Sequence, residues 1–552
     1  MIENRLPIIS MFSGPGGMDL GFRQCGFLPM LALDDNRAAV ETYNQNDPAK
    51  VAVQCDLSKL SGSELVEMVR KASAELVPRG IIGGPPCQSF SSSNRSLKRR
   101  DPRSRLGVIF ARQINELNRE FDLDFVVFEN VLGLLTERHT HWFQSIQREL
   151  KRAGFNLFVA NLDAGEFGVP QRRRRILIVG VNRYKYPWVQ FQFPKGGTEP
   201  PTVGDVIRDL PPAAFYHRNL KPEDIPYHPN HWTMVPRSPK FKNGMHGNGR
   251  SFKRLRWNKP SFTVAYGNRE IHIHPAGRRR LTILEAMLLQ GFPKRYVLHG
   301  SLSDQVTQIS NAVPPPLAAA VANAIRQSVY APVEELQRFL LCWFENNQRP
   351  FPWRQTRDPF RILVAEKLLQ QTAATGVVVD AFRQIMSRYP NWNALATASR
   401  RELKQIVTPL GLTYRAGELI KLARAIVRYH KGNVPQCFQA LLALPGVGHY
   451  AARATLSFAF DQPFAVIDTN VARFLVRYFG LKYRPSNNPA RDRRLQQIAD
   501  ALIPAKRSRE FNLAILDVCA ANCKARQPEC ASCPIRTGCA LWQSKSESKL
   551  HL

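Results

Sequence analysis

The chain has 552 residues and carries 77 Lys and Arg against 44 Asp and Glu, a formal net charge of +33. The excess is shared, +17 over 1–330 and +16 over 331–552, so both halves suit a polyanion, nucleic acid foremost. A hydrophobic share of 44% is enough for packed cores and excludes a disordered basic protein. No apolar run reaches the roughly 18 residues of a membrane span. The opening MIENRLPIIS contains an acid and no long apolar stretch, so it reads as no secretory leader. The expected compartment is a reducing cytoplasm, where ten cysteines are chemistry or metal ligands before they are disulfides.

In chain order, the short apolar runs PIISMF, LPMLAL, GIIGG, DFVVFEN and RILIVGV are bounded by Gly, Asp or Pro. They read as buried parallel strands with helices between them, a doubly wound α/β class. The first runs through Phe12 into Ser13-Gly14-Pro15-Gly16-Gly17, a turn whose glycines let backbone approach a ligand. Such a turn alone is equally an ordinary tight turn. The second strand ends at Asp34-Asp35, where an acid can meet ribose hydroxyls. A third ends at Asp56, placed to meet an adenine amino group. Together the three loops outline a nucleoside pocket. Next comes Gly83-Gly84-Pro85-Pro86-Cys87-Gln88-Ser89-Phe90. A thiol at a strand end needs local positive potential to become a thiolate, and NRSLKRRDPRSR follows it; a structural Cys in a loop is the alternative. One later strand ends in Glu129-Asn130-Val131. Another is entered through Gly168-Val169-Pro170-Gln171-Arg172-Arg173-Arg174-Arg175, a charge run that is either a solvated face or a cleft wall. Residues 185–260 are rich in Pro, aromatic and basic residues and read as an inserted loop-rich module. Helical patterning returns in RRRLTILEAMLLQGF and PPPLAAAVANAIRQSV.

In order and kind these motifs resemble those of the DNA cytosine-C5 methyltransferases over about 5–330. FSGPGG resembles their first motif, PPCQ the nucleophile loop and ENV the acid motif. QRRRR fits their Q-x-R-x-R at Gln171, Arg173 and Arg175. Gln308-Ile309-Ser310-Asn311-Ala312-Val313-Pro314-Pro315 resembles the last motif, with Ser310 where the family has Gly, a change expected to be tolerated. The resemblance implies an S-adenosylmethionine site at Phe12, Ser13, Gly14, Gly16, Gly17, Asp34, Asp56, Pro85 and Asn311. It implies Cys87 as the thiolate that adds to cytosine C6, Glu129 as the acid at N3, and Arg173 and Arg175 as holders of the base and its acid. Gln171 is assigned to DNA, and the loop from Ser89 to about Arg105 is expected to close over a flipped base.

After Ala331-Pro332 helical periodicity dominates to about 515, an all-α domain. No Gly/Ser or Pro linker joins the halves, so they are expected to abut. Leu444-Pro445-Gly446-Val447-Gly448-His449-Tyr450 reads as a hairpin between helices, with backbone N–H groups suited to a DNA phosphate. Asp468, after an apolar run and at a helix start, could be only an N-cap. Cys523, Cys530, Cys533 and Cys539 form C-x6-C-x2-C-x5-C, a metal site for which zinc is the generic choice. Cys519 is left over and reads as packing.

Hairpin, acid and cysteines in this order resemble the helix-hairpin-helix Gly-Pro-Asp glycosylases of the endonuclease III superfamily over about 335–540. The cysteine spacing is that of their [4Fe–4S] loop. The resemblance implies DNA contacts at Leu444, Gly446 and Gly448 and a sugar-stabilising role for Asp468. Glu366, in AEKLLQQT, matches the acid helix of the mismatch branch, and Gln371 is placed to fill the gap left by a flipped nucleotide. Bifunctional members carry a lysine where this chain has Tyr450, which implies a monofunctional enzyme. Tyr450 resembles the thymine-DNA glycosylases acting on T·G. The adenine branch has Ser there and a further nucleotide-hydrolase-like domain, for which Leu552 follows Cys539 too closely.

The fold expectation is therefore an α/β S-adenosylmethionine-dependent methyltransferase fold with an inserted target-recognition region, followed by an all-α glycosylase domain with an iron–sulfur loop. The expected divisions are 1–184 and 276–330 for the methyltransferase core, 185–275 for target recognition, 331–515 for the glycosylase and 516–552 for the cluster loop and tail. The expected partner is double-stranded DNA, and the reading leaves room for a cognate restriction endonuclease. No self-complementary helix points beyond a monomer. Adenine or uracil as the excised base, and a catalytically silent clamp, stay open as alternatives.

Overall fold

The computed structural model describes residues 5–73, 76–86, 90, 102–237, 239–241, 253–263, 272–372, 374–411 and 413–550. Cys87 and most of the expected closing loop, through Asp101, lie outside the described residues. The chain divides into two compact units, one of residues 1–183 and 189–329, the other of 184–188 and 330–552. Among the described residues no helix is long and apolar enough to cross a membrane.

The first unit is built on a seven-stranded sheet: β1 (Leu6–Met11), β2 (Phe27–Asp34), β3 (Ala52–Gln54), β4 (Gly80–Gly83), β5 (Phe125–Asn130), β6 (Phe155–Asp163) and β7 (Arg174–Asn182), in the order β3-β2-β1-β4-β5-β7-β6. The first five pair in parallel. Apolar side chains of β1, β4 and β5, such as Ile9, Ile81 and Phe128, are fully buried, as a strand covered on both faces requires. Strand order reverses between β1 and β4, and there the sheet opens a crevice at its carboxyl edge.

Two expectations about strands need correction. β7, the RILIVGV run, is antiparallel to both β5 and β6. The link from β6 to β7 spans only residues 164–173, too short for the crossover that a parallel pair needs. β6 itself escaped the sequence reading. It is an edge strand with three of its nine residues exposed and three more partly so, and its apolar run is broken. The loop-rich module is also less loose than its composition suggests: Val203, Ile207, Ile225, Trp232 and Leu255 share one core with the helix Ile283–Leu289. That helix starts with a Thr282–Glu285 capping box.

In the second unit every regular element is helical among the described residues. Its core gathers Trp353, Leu363, Leu368, Phe382, Leu419, Ile426 and Leu456 from successive helices. Three helices hold site residues expected from the sequence. The Pro359–Leu369 helix is capped by Asp358, with Pro at its first position. The His449–Phe460 helix follows the hairpin directly, with Gly448 as its N-cap. The Thr469–Tyr478 helix begins at Asp468.

Candidate functional sites

The crevice of the first unit is a cavity of about 290 Å³ lined by the β1 loop, Asp34, Gly83–Pro86, Glu129, Arg173, Arg175, Gln308 and Asn311. Phe12 (φ 55°), Gly14 (54°) and Gly16 (83°) all take left-handed backbone, which folds the loop tightly over the end of β1. Gly17 is forced by space, since a Cβ there would lie 2.3 Å from the Val313 carbonyl. The Asp34 carboxylate accepts from the backbone N–H of Gly14 (2.8 Å) and of Asn36 (2.9 Å), tying β2 to the loop. Burial pushes its pKa up to about 6. Ser13 Oγ is buried in this wall without a hydrogen-bond partner among the described residues. An unpaired hydroxyl beside an acid and exposed loop backbone fits a polar nucleoside ligand. Asp56 does not line the cavity: it lies beyond the end of β3, and its carboxylate is held by Ser58 and Lys59.

Across the crevice Glu129 is buried at the end of β5, with Arg175 Nε 2.9 Å from its carboxylate. Burial raises its pKa above the ordinary value, opposed by the Arg175 and Arg173 charges. Along Gln171–Arg175 the residues alternate buried and exposed, as an extended strand dictates. Arg172 and Arg174 face out, near Asp163. Arg173 faces in and donates to the carbonyls of Ser310 (2.9 Å) and Ala312 (3.1 Å), which fixes Asn311 between them. Ser310 lies within the helix Leu302–Asn311 and returns its hydroxyl to Thr307.

Gln171 requires correction. It is fully buried and donates to Leu289 O and Gln290 Oε1, so it braces the core and has no surface to offer DNA. Conversely Asn130 was not singled out as a site residue, although it stood in the acid motif. Its side-chain amide donates to Pro85 O at 3.1 Å and holds the turn that leads to Cys87.

The second unit has a cavity of about 310 Å³ in which Glu366, Tyr450 and Asp468 meet, beside Arg354, Arg509 and Phe351. Glu366 is buried, and burial pushes its pKa up to about 7 against the pull of Arg354. Burial, then the Glu366 and Asp468 carboxylates, holds the Tyr450 phenol well above its ordinary value. Asp468 is both the N-cap and a wall of the cavity: it accepts from the backbone N–H of Asn470 (2.8 Å) and Val471 (2.7 Å), and from Asn470 Nδ2 (2.8 Å). Arg354 is anchored on Asp517 at 2.6 Å, and Phe351 stacks on Trp353 with ring centroids 5.0 Å apart.

Leu444 is buried and pins the hairpin; Gly446 has φ 69°, and Gly448 has ordinary extended backbone. Gln371 is exposed and carries φ 56°, rare for a non-glycine residue. The four cysteines line one apolar cavity with Phe474, Arg477, Tyr478, Ile535 and Trp542. Among the described residues no group of three or more His, Cys, Asp or Glu is gathered to hold a metal ion. Cys519 is buried, with its thiol toward Asn470 O.

Comparison with known proteins follows the same division. Residues 6–327 match the C-5 cytosine-specific DNA methylase family, and 364–501 match the HhH-GPD superfamily of base excision DNA repair proteins. The Type II methyltransferase M.FnuDI of Fusobacterium nucleatum is 30% identical over 348 residues, 59% of this chain and 95% of that protein. A thymine/uracil-DNA glycosylase of Pyrobaculum aerophilum is 37% identical over 212 residues, 38% of this chain and 91% of that protein. A thymine-DNA glycosylase of Aeropyrum pernix is 36% identical over 216 residues, covering 38% and 96%. The chain therefore belongs to the C-5 cytosine-specific DNA methylase family and carries, fused behind that enzyme, a DNA glycosylase domain of the HhH-GPD superfamily.

Proposed function

We propose that one chain both methylates cytosine at C5 in duplex DNA and excises the thymine left opposite guanine when 5-methylcytosine deaminates. The first activity creates the lesion that the second removes. The observation that carries the reading is the convergence of Glu366, Tyr450 and Asp468 on one cavity, in a domain akin to glycosylases named for thymine and uracil.

In the first unit the target base is flipped out of the duplex. The Cys87 thiolate adds to C6, and the electron pair released makes C5 nucleophilic. Glu129, its pKa raised by burial, gives a proton to N3, while Arg175 holds both the acid and the base. S-adenosylmethionine, held by the β1 loop, Asp34 and Asn311, supplies an electrophilic methyl group when bound. N3 then returns its proton to Glu129, and loss of the C5 proton to water expels the Cys87 thiolate and restores the C5–C6 double bond.

In the second unit the bond between the sugar C1′ and the thymine N1 breaks, and water adds to C1′. The Asp468 carboxylate stabilises the cationic sugar, and Glu366 delivers a proton to the departing base. Tyr450 brings no amine, so no Schiff base forms and the strand stays intact. Lys367, next to Glu366, is saturated by three acceptors and does not line the cavity. The cysteine cavity suits a [4Fe–4S] cluster held by Cys523, Cys530, Cys533 and Cys539. The four thiols line one apolar space. The cluster would serve to hold the loop together.

The test is base release from duplexes carrying T·G, U·G, A·G or 5-methylcytosine·G, read as alkali-labile sites. Release from T·G without strand cleavage before alkali is expected. Release confined to A·G, or from none of the four, would contradict the reading.

A further inference from the structure

Lys367 is 1% exposed, yet it is a cation placed one residue from the acid of the glycosylase cavity. Its ammonium has three donors, and each has one acceptor: Gln370 Oε1 at 2.9 Å, Glu418 Oε2 at 2.9 Å and Gly446 O at 2.8 Å. These come from three places, namely the end of the acid helix, the Arg415–His430 helix and the tip of the hairpin. The fit at the hairpin is close, since a Cβ on Gly446 would sit 2.9 Å from Lys367 Nζ. The same helix end is gripped again by fully buried Arg415, which donates to Leu368 O (2.9 Å) and Thr372 Oγ1 (3.0 Å). Between these grips stands Gln371, exposed and in left-handed backbone. A residue holds such a conformation only where its neighbours over-determine it.

We infer that Lys367 is a positioning residue that locks the Gln370–Thr372 turn to the hairpin, so that phosphate capture at Gly446 and Gly448 and insertion of Gln371 into the duplex occur in one fixed register. The inference rests on the glycosylase reading for the role of that turn. Chemically, the hairpin fixes the DNA backbone, and the gap left by an extruded nucleotide must then coincide with Gln371. A displacement of about 1 Å at such a contact costs on the order of 100-fold in rate.

The test uses the full chain with Lys367→Met, which conserves length and removes the three donors, and with Gln370→Met, which breaks one contact from a half-buried position. The substrates are a T·G duplex with 2-aminopurine beside the mismatch and a duplex with thymine opposite an abasic site, whose extrusion needs little work. Thermal melting and methyl transfer report folding. Wild type is expected to raise the 2-aminopurine fluorescence on binding. Both variants should lose that rise and release base from T·G at saturating enzyme far more slowly, on the order of 100-fold for Lys367→Met. They should bind with little change and release thymine opposite the abasic site nearly as wild type does. Variants that match wild type on T·G would overturn the inference. An equal loss on both substrates would also overturn it, since that is what a merely structural lysine would give. If wild type raises fluorescence but releases no base, the glycosylase reading falls while the positioning role is still judged by the fluorescence. Should Lys367→Met fail to fold, Gln370→Met decides the outcome.

Discussion

Two buried glutamates illustrate how burial and neighbours set the chemistry of single residues. Glu366 has its pKa pushed up to about 7, by burial first, with Arg354 pulling against it. If it protonates the departing base, the protonated form is the active one. Base release should then fall as pH rises through about 7, and Glu366→Gln should flatten that limb; a rate that rises with pH would instead make Glu366 the group that orients water. Glu129 is raised by burial and restrained by Arg175. Arg175→Ala should lower kcat for methyl transfer by on the order of 100-fold. It should also move the alkaline limb of the remaining rate upward, because the restraining charge has gone. Asp468→Asn is a clean probe, since Asn caps a helix as well as Asp does. The variant should fold normally and lose base release.

At the scale of elements, the parallel strands, the Gly-rich turn, the hairpin and the helix start at Asp468 could be read from local patterns. Each obeys a short-range rule: buried apolar runs, left-handed glycines, caps. What the sequence hid depends on partners distant in the chain. β6 looked unlike a strand because an edge position tolerates polar residues. The Q-x-R-x-R resemblance assigns Gln171 to DNA, but strand alternation turns it onto Gln290, 119 residues away. Lys367 passed unnoticed because its three acceptors come from three elements. The hairpin gives a test at this scale, since its two glycines read alike in sequence and differ in structure. Gly446→Ala must adopt φ 69° and crowd Lys367. It should cost about 1–2 kcal/mol in a melting experiment and weaken DNA binding. Gly448→Ala has ordinary φ and meets nothing within 4 Å. It should melt as wild type.

For the whole molecule, each unit gathers most of its expected groups around its own cavity; Asp56 and Gln171 lie elsewhere, and Cys87 and its loop are outside the described residues. The methyltransferase residues lie within 1–329 and the glycosylase residues within 330–552. Among the described residues each cavity is lined by its own unit, so the chemistry of each should be separable by a single substitution. The shared basic charge has a further consequence: affinity for DNA in either assay should fall steeply with salt as counterions are released. The most direct measurement assays Cys87→Ser and Asp468→Asn side by side for methyl transfer to duplex DNA and for thymine release from T·G. Cys87→Ser should lose methylation and keep thymine release, and Asp468→Asn should do the reverse. A wild-type chain that releases no thymine, or an Asp468→Asn chain that releases it unchanged, would contradict the claim that this protein both writes the methyl mark and repairs its decay.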